Sequence, residues 1–251
     1  MTSEPVTSEP VTSEAEHWVR LDGEDHDGSI DGFELVAAHR ALALLKGHLG
    51  RQRLLDLLQA EIAAGTSYLR RQVESSAGQE TTGTTTLRAY GISAVQFTGW
   101  LSRAFGREDV LLAGHPEHYS IRPTGGRVNI VETLGDHVCS FFMQPWDDAV
   151  TAGAIEPADD GAVSRRRSRI LLEDGTVVGS ITNAFFEAPD GFTARLSVTL
   201  PVTCGPEVVE HHLQHFAVEF RNWILTAAAE LDTVANPTVS SAGPAAFAGP
   251  R

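Results

Sequence analysis

Apolar positions change their period repeatedly along the chain, and each change marks a switch between helix and strand. Over residues 33–73 they recur at helical spacing: Leu35, Ala38, Leu42 and Leu45, then Leu54, Leu57, Leu58 and Ile62. This predicts helix, with Gly47 and Gly50 dividing it in two. The stretch 78–85 is rich in Gly, Thr and Ser and reads as a loop. Short strand-like runs follow over 86–90, 119–121, 128–134, 137–143, 169–172, 177–186 and 193–199. Gly125-Gly126, Asp174-Gly175 and Asp190-Gly191 are turn signals between them, which predicts antiparallel hairpins. One helix interrupts the strands at 95–105, with Phe97, Trp100, Leu101 and Phe105 on one side.

A long helix is predicted from about 206 to 231. Val209, Leu213, Phe216, Phe220, Trp223 and Ala227 form an unbroken apolar stripe, and Pro206 suits a first turn. Antiparallel strands closed by one long amphipathic helix make an α+β arrangement, with the helix packed on one sheet face. Such a layout can enclose a cavity.

Composition adds boundaries to this picture. The chain has 251 residues, 42% hydrophobic and 21% charged, which suits a globular domain with a sizeable core. The net charge is −14, but residues 1–34 hold ten Asp/Glu against one Arg, leaving −5 for the rest. Without a broad basic surface, neither nucleic acid nor an anionic membrane is an expected partner. The TSEPV repeat at the start cannot bury enough apolar surface to order itself. Residues 1–31 therefore read as an acidic tail, 32–76 as N-terminal helices, 84–232 as the main domain and 236–251 as a second tail. Cys139 and Cys204 form no CxxC, so no disulfide framework or thiolate metal site is implied. Neither a signal segment nor a span-length apolar run is present, and a cytoplasmic location is the expectation. Residues 22–34 have some spacing of a calcium loop, but Gly23 occupies its first ligand position. The reading kept is an acidic linker into a helix.

Candidate chemistry lies mostly on the last helix. His215 and Glu219 are four apart and share a face, with His212 nearby, at the flank of the apolar stripe. An imidazole and a carboxylate so placed can chelate a divalent metal or line a cavity wall. A second cluster is His115-Pro116-Glu117-His118, and Glu132 stands in an otherwise apolar strand. A buried carboxylate there needs a partner, and an outward-facing one does not. The run Arg165-Arg166-Arg167-Ser168-Arg169 reads as a solvated hairpin entrance or a site for an acidic ligand. Trp146 reads as a pocket mouth or a loop cap.

These segments together resemble the 2,4-diacetylphloroglucinol and phloretin hydrolase family. The resemblance rests on Phe97-Thr98-Gly99-Trp100, His115 to His118, Val131-Glu132-Thr133-Leu134-Gly135, Gly191 to Arg195 and His215 to Asn222, in that order. It implies a helix-grip (Bet v 1-like) fold, a curved antiparallel sheet around a long C-terminal helix, here with extra N-terminal helices. It also implies zinc-assisted hydrolysis of a carbon–carbon bond in an acylated phenolic ketone. Glu132, His215 and Glu219 match three of the four ligands. Leu101 stands where the first ligand His belongs, and Asn183 where a pocket His belongs. His118 and Asn183 are expected to orient the substrate. The expected partner is a hydrophobic or phenolic small molecule, with a homodimer also considered. Two other readings stay open: a metal-free cyclase of a polyketide-like substrate, and a non-catalytic binder of a hydrophobic small molecule.

Overall fold

The computed structural model describes residues 21–23, 28–146 and 161–235. Most of the two tails, residues 1–20 and 236–251, and part of the calcium-loop-like segment lie outside these residues. The chain divides into two units, Met1–His48 and Leu49–Arg251. The first unit contributes most of helix α1 (Gly28–Leu57), whose Phe33, Leu35, Val36, Leu44 and Leu45 are exposed. The expected break falls at Gly50 alone, where φ is 65°, and Gly47 remains helical.

The second unit begins with the end of α1 and α2 (Gln59–Ser76), followed by β1 (Glu80–Tyr90), α3 (Ala94–Ala104) and α4 (Glu108–Leu112). Six strands come next: β2 (His118–Thr124), β3 (Arg127–Leu134), β4 (His137–Pro145), β5 (Ser164–Leu171), β6 (Val177–Ala188) and β7 (Gly191–Pro201). A short 3-10 turn, Val202–Cys204, leads into α5 (Pro206–Ala235). The seven strands form one antiparallel sheet in the order β1-β7-β6-β5-β4-β3-β2. Sequential hairpins account for every neighbour except the pairing of β1 with β7. The stripe on α5 packs against the inner residues of this sheet, among them Ile130, Phe141, Phe185 and Leu196. This is the expected helix-grip architecture.

Two stretches differ from the sequence expectation. The Gly/Thr-rich segment 80–85 is not a loop but half of β1. Thr82 and Thr84 hydrogen-bond across to Thr199 and Ser197 on the solvent side. On the inner side Gly83 leaves room for α5: a Cβ there would stand 2.4 Å from Val209. The arginine run is likewise not a hairpin entrance but most of β5. An extended backbone alternates its side chains, so Arg166 faces inward and Arg165 and Arg167 outward. Helix α4 carries no sequence signal long enough to announce it.

Three attachments position the helices. The N-terminus of α3 carries a capping box of Ser93 and Gln96, and the Glu187 carboxylate of β6 accepts from the Ala94 and Val95 amides. Its other end is tied to α5, where Glu230 accepts from Trp100 Nε1 at 2.8 Å and from Arg107 at 2.9 and 3.0 Å. Helix α2 lies against the β3–β4 end of the sheet. Tyr68 stacks on His137 at 4.1 Å, and Gln72 O accepts from Thr203 Oγ1. No helix among the described residues is long and apolar enough to cross a membrane.

Candidate functional site

Between the sheet and α5 lies a cavity of about 530 Å³. Its walls are mainly apolar: Leu101, Ile121, Ile130, Phe141, Ile181, Phe216, Phe220 and Trp223. The alternation Val128, Ile130, Glu132 along β3 turns Glu132 inward with its apolar neighbours, settling the question its strand left open. On α5 the four-residue spacing brings Glu219 into the same lining one turn from His215. Pairing of β2 with β3 sets His118 directly across from Glu132, beside a register shift between His118 and Ser120.

The four side chains converge. His118 Nε2 lies 3.0 Å from His215 Nε2, 3.6 Å from Glu132 Oε2 and 3.5 Å from Glu219 Oε1. His215 Nε2 is 3.6 Å from the same Glu132 oxygen. All four residues are buried. The carboxylates border the cavity and the imidazoles stand behind them. His115 stacks on His215 at 3.7 Å between ring centres, and His212 lies beyond at 5.5 Å. His212 is buried with neither ring nitrogen hydrogen-bonded, and His215 Nδ1 also has no partner.

Burial sets the protonation states. Removal from water pushes the Glu132 carboxyl up to about 8 and Glu219 well above the usual carboxylate range, with Glu132 adding to the rise at Glu219. Desolvation, reinforced by neighbouring histidines, drives His215 far down and His212 to about 3. Near neutrality the cluster therefore presents protonated carboxyls beside the neutral imidazoles of His212 and His215. It can donate hydrogen bonds to an oxygen in the cavity and accept a proton from a neighbour. The same atoms could hold a divalent cation: ligand atoms of His118, His215 and Glu219 lie within 4.8 Å of one another, and those of His115, Glu117 and His215 do likewise.

The structure thus brings Glu132, His215 and Glu219 together and adds His118, expected only as a pocket residue, to their circle. Asn183 lines the cavity but belongs to β6, across from Arg166. Sequence reasoning named the His115–His118 segment and the arginine run but did not single out His115 as stacked on His215 or Arg166 as the inward arginine. Their signals were the His115-Pro116-Glu117-His118 spacing and an arginine at an inward strand position. Trp146 borders the cavity, while Asp147 and Asp148 lie outside the described residues.

No family model matches the chain, and no curated protein does. Solved structures with a similar fold include Ara h 8.0201, at 12% identity over 60% of this chain and 99% of that one, TM-score 0.41. A START superfamily protein from Mycobacterium smegmatis matches at 10% identity over 59% and 99%, TM-score 0.40. The Zhui aromatase/cyclase from Streptomyces sp. R1128 matches at 15% over 63% and 98%, TM-score 0.38. The expected membership in the phloroglucinol and phloretin hydrolases is therefore corrected, and zinc-dependent carbon–carbon hydrolysis goes with it. The side chains give the physical reason. Leu101 is a buried part of the apolar wall and cannot ligate a metal, and Asn183 cannot exchange a proton near neutrality. The chain has the helix-grip fold without belonging to that enzyme family by any match found.

Proposed function

We propose that the chain binds a hydrophobic, oxygen-bearing small molecule in the gripped cavity, with a ligand oxygen held by Glu132 and Glu219. The observation that carries this reading is a large apolar cavity whose only acidic lining residues among those described are two buried carboxyls. Apolar walls supply affinity by burial, and a few polar groups fix orientation. Two protonated carboxyls favour an acceptor such as a ketone or quinone oxygen.

A second reading, a cyclase of a polyketide-like substrate, is favoured by one further observation. Proton donors toward the cavity and unprotonated imidazole nitrogens behind them are the pair that enolisation of a ketone uses. A folded poly-ketone held there would close a ring by attack of its enol carbon on a second carbonyl, the carbonyl oxygen taking a proton from one carboxyl and the enol oxygen giving its own proton back to the cluster as its C=O re-forms. The cavity would contribute chiefly by holding the reacting carbons close.

The zinc expected from the sequence enters this proposal as an occupant only. His118, Glu132, His215 and Glu219 would hold it, and two neutral nitrogens with two carboxylates are a donor set that suits it. When bound it would polarise a ligand carbonyl.

The test is displacement of a cavity-bound fluorescent dye by multi-ring phenolic ketones, followed by mass analysis of a linear poly-ketone after incubation. Displacement with the poly-ketone unchanged supports a binder. Loss of one water per ring closed and aromatised supports a cyclase. No displacement by any of them overturns both readings.

A further inference from the structure

The cavity holds a cation as well as its acids. Arg166 turns inward from β5, and its guanidinium crosses to α3, where it donates to Thr98 O at 3.4 Å and to Ser102 Oγ. Both acceptors are neutral. Among the described residues no carboxylate pairs with Arg166, so its charge is half-buried in an apolar cavity without a counter-ion. Across the strand pair stands Asn183, whose buried Oδ1 has no hydrogen-bond partner. Because the two nitrogen and oxygen ends of an amide are interchangeable in assignment, this side chain can offer either a donor or an acceptor. Arg127, Arg165 and Arg167 touch the margin of the cavity from outward-facing strand positions, so Arg166 is the inward cation. The guanidinium of Arg127 lies over Phe142 at 4.5 Å and that of Arg167 over Trp146 at 4.7 Å.

Strand register separates this region from the His/Glu cluster. Glu132 pairs with Cys139, close to the β3–β4 turn. Ser168 pairs with Pro145 at the far end of β4, and Arg166 lies two residues further out. The cavity is therefore polar at both ends and apolar between, with protonated acids at one end and, at the other, a guanidinium that no described carboxylate pairs.

We propose that the ligand is a hydrophobic acid, whose anionic head is held by Arg166 with Asn183 beside it while its apolar body fills the cavity. This rests on the small-molecule reading above and names the class of ligand. A guanidinium is suited to a carboxylate because its fork of donors matches the two oxygens, and burial strengthens the pair.

Two dyes that differ by one charge test it: anilinonaphthalene sulfonate, and phenylnaphthylamine, which has the same rings without the sulfonate. In the parent chain the anionic dye is expected to bind about tenfold more tightly, the effect of one charge-assisted contact. Arg166→Gln should abolish that preference while phenylnaphthylamine binding stays within about twofold, which also shows the variant folded. Arg166→Lys should keep part of the preference. Equal affinity of the two dyes in the parent, or a parallel loss of both in Arg166→Gln, overturns the acid-head assignment alone. Failure of both dyes to bind the parent overturns the cavity reading and this inference with it.

Discussion

His118 and His215 meet nitrogen to nitrogen at 3.0 Å, and the far side of the His118 ring is held by a backbone carbonyl. His118 Nδ1 lies 3.1 Å from Leu111 O, and a carbonyl oxygen only accepts. Nδ1 of His118 therefore carries its hydrogen. With that ring neutral its Nε2 is the acceptor and His215 donates from Nε2, which agrees with the missing partner at His215 Nδ1.

That tautomer pattern bears on cations. An Nδ1–H held by a backbone carbonyl aims Nε2 at a metal, as the outer partners of ligating histidines commonly do. Zinc added to chelator-treated protein is expected to raise the melting temperature and to release protons from the carboxyls. Glu219→Ala and His118→Ala should each lose the response. Calorimetric titration in two buffers of different ionisation enthalpy checks both parts. A parent chain that neither warms nor releases protons would show that the carboxyls keep their hydrogens.

The same cluster makes stability depend on pH. In the cation-free protein Glu132 is raised to about 8 and Glu219 is raised too, so the folded state holds protons that the unfolded state has lost. Their contribution to stability is full below the unfolded carboxylate range and falls as pH rises toward about 8. His215 and His212 are depressed, His212 to about 3, so their contribution is full above the unfolded imidazole value and falls as pH drops below it. Melting temperature should decline between about pH 6.5 and 8 in the parent, and Glu132→Gln should flatten that decline.

Close approach of α2 to the sheet is equally testable. A Cβ on Gly65 would stand 2.1 Å from the Val138 carbonyl oxygen, which is backbone and cannot step aside. Gly65→Ala should cost about 3 kcal/mol, the upper end of overpacking. Gly47→Ala meets nothing within 4 Å and sits in a helix, so it should stabilise by about 0.5–1 kcal/mol. Denaturant unfolding of the two variants gives the comparison.

Filling the cavity should silence it. Met143 borders the cavity and is only partly buried, so Met143→Trp can place its indole in the space a ligand needs. Phenylnaphthylamine affinity is expected to fall about tenfold or more, with the melting temperature changed by a few degrees. Dye affinity equal to the parent would place the ligand elsewhere.

Much of the architecture was readable because its signals are local. The stripe from Val209 to Ala227 needs only helical period, and Asp174-Gly175 and Asp190-Gly191 need only turn chemistry. β1 was half hidden because its Thr side chains face solvent and its Gly83 is small for the sake of a helix more than a hundred residues away. At the site, the pairing of His215 with Glu219 follows from spacing. His118 does not, since its place depends on the β2–β3 register and on Leu111 O. The hydrolase resemblance failed for a related reason. Motif order preserves a fold, whereas Leu101 and Asn183 decide the chemistry one side chain at a time.

Leu111 O also accepts from Trp223 Nε1, at 3.2 Å, alongside His118. One oxygen on a five-residue helix therefore anchors both an imidazole of the cluster and an indole of the cavity wall. A shift of that oxygen would disturb both hydrogen bonds at once, so the short helix is a hinge pin shared by the buried cluster and the cavity wall.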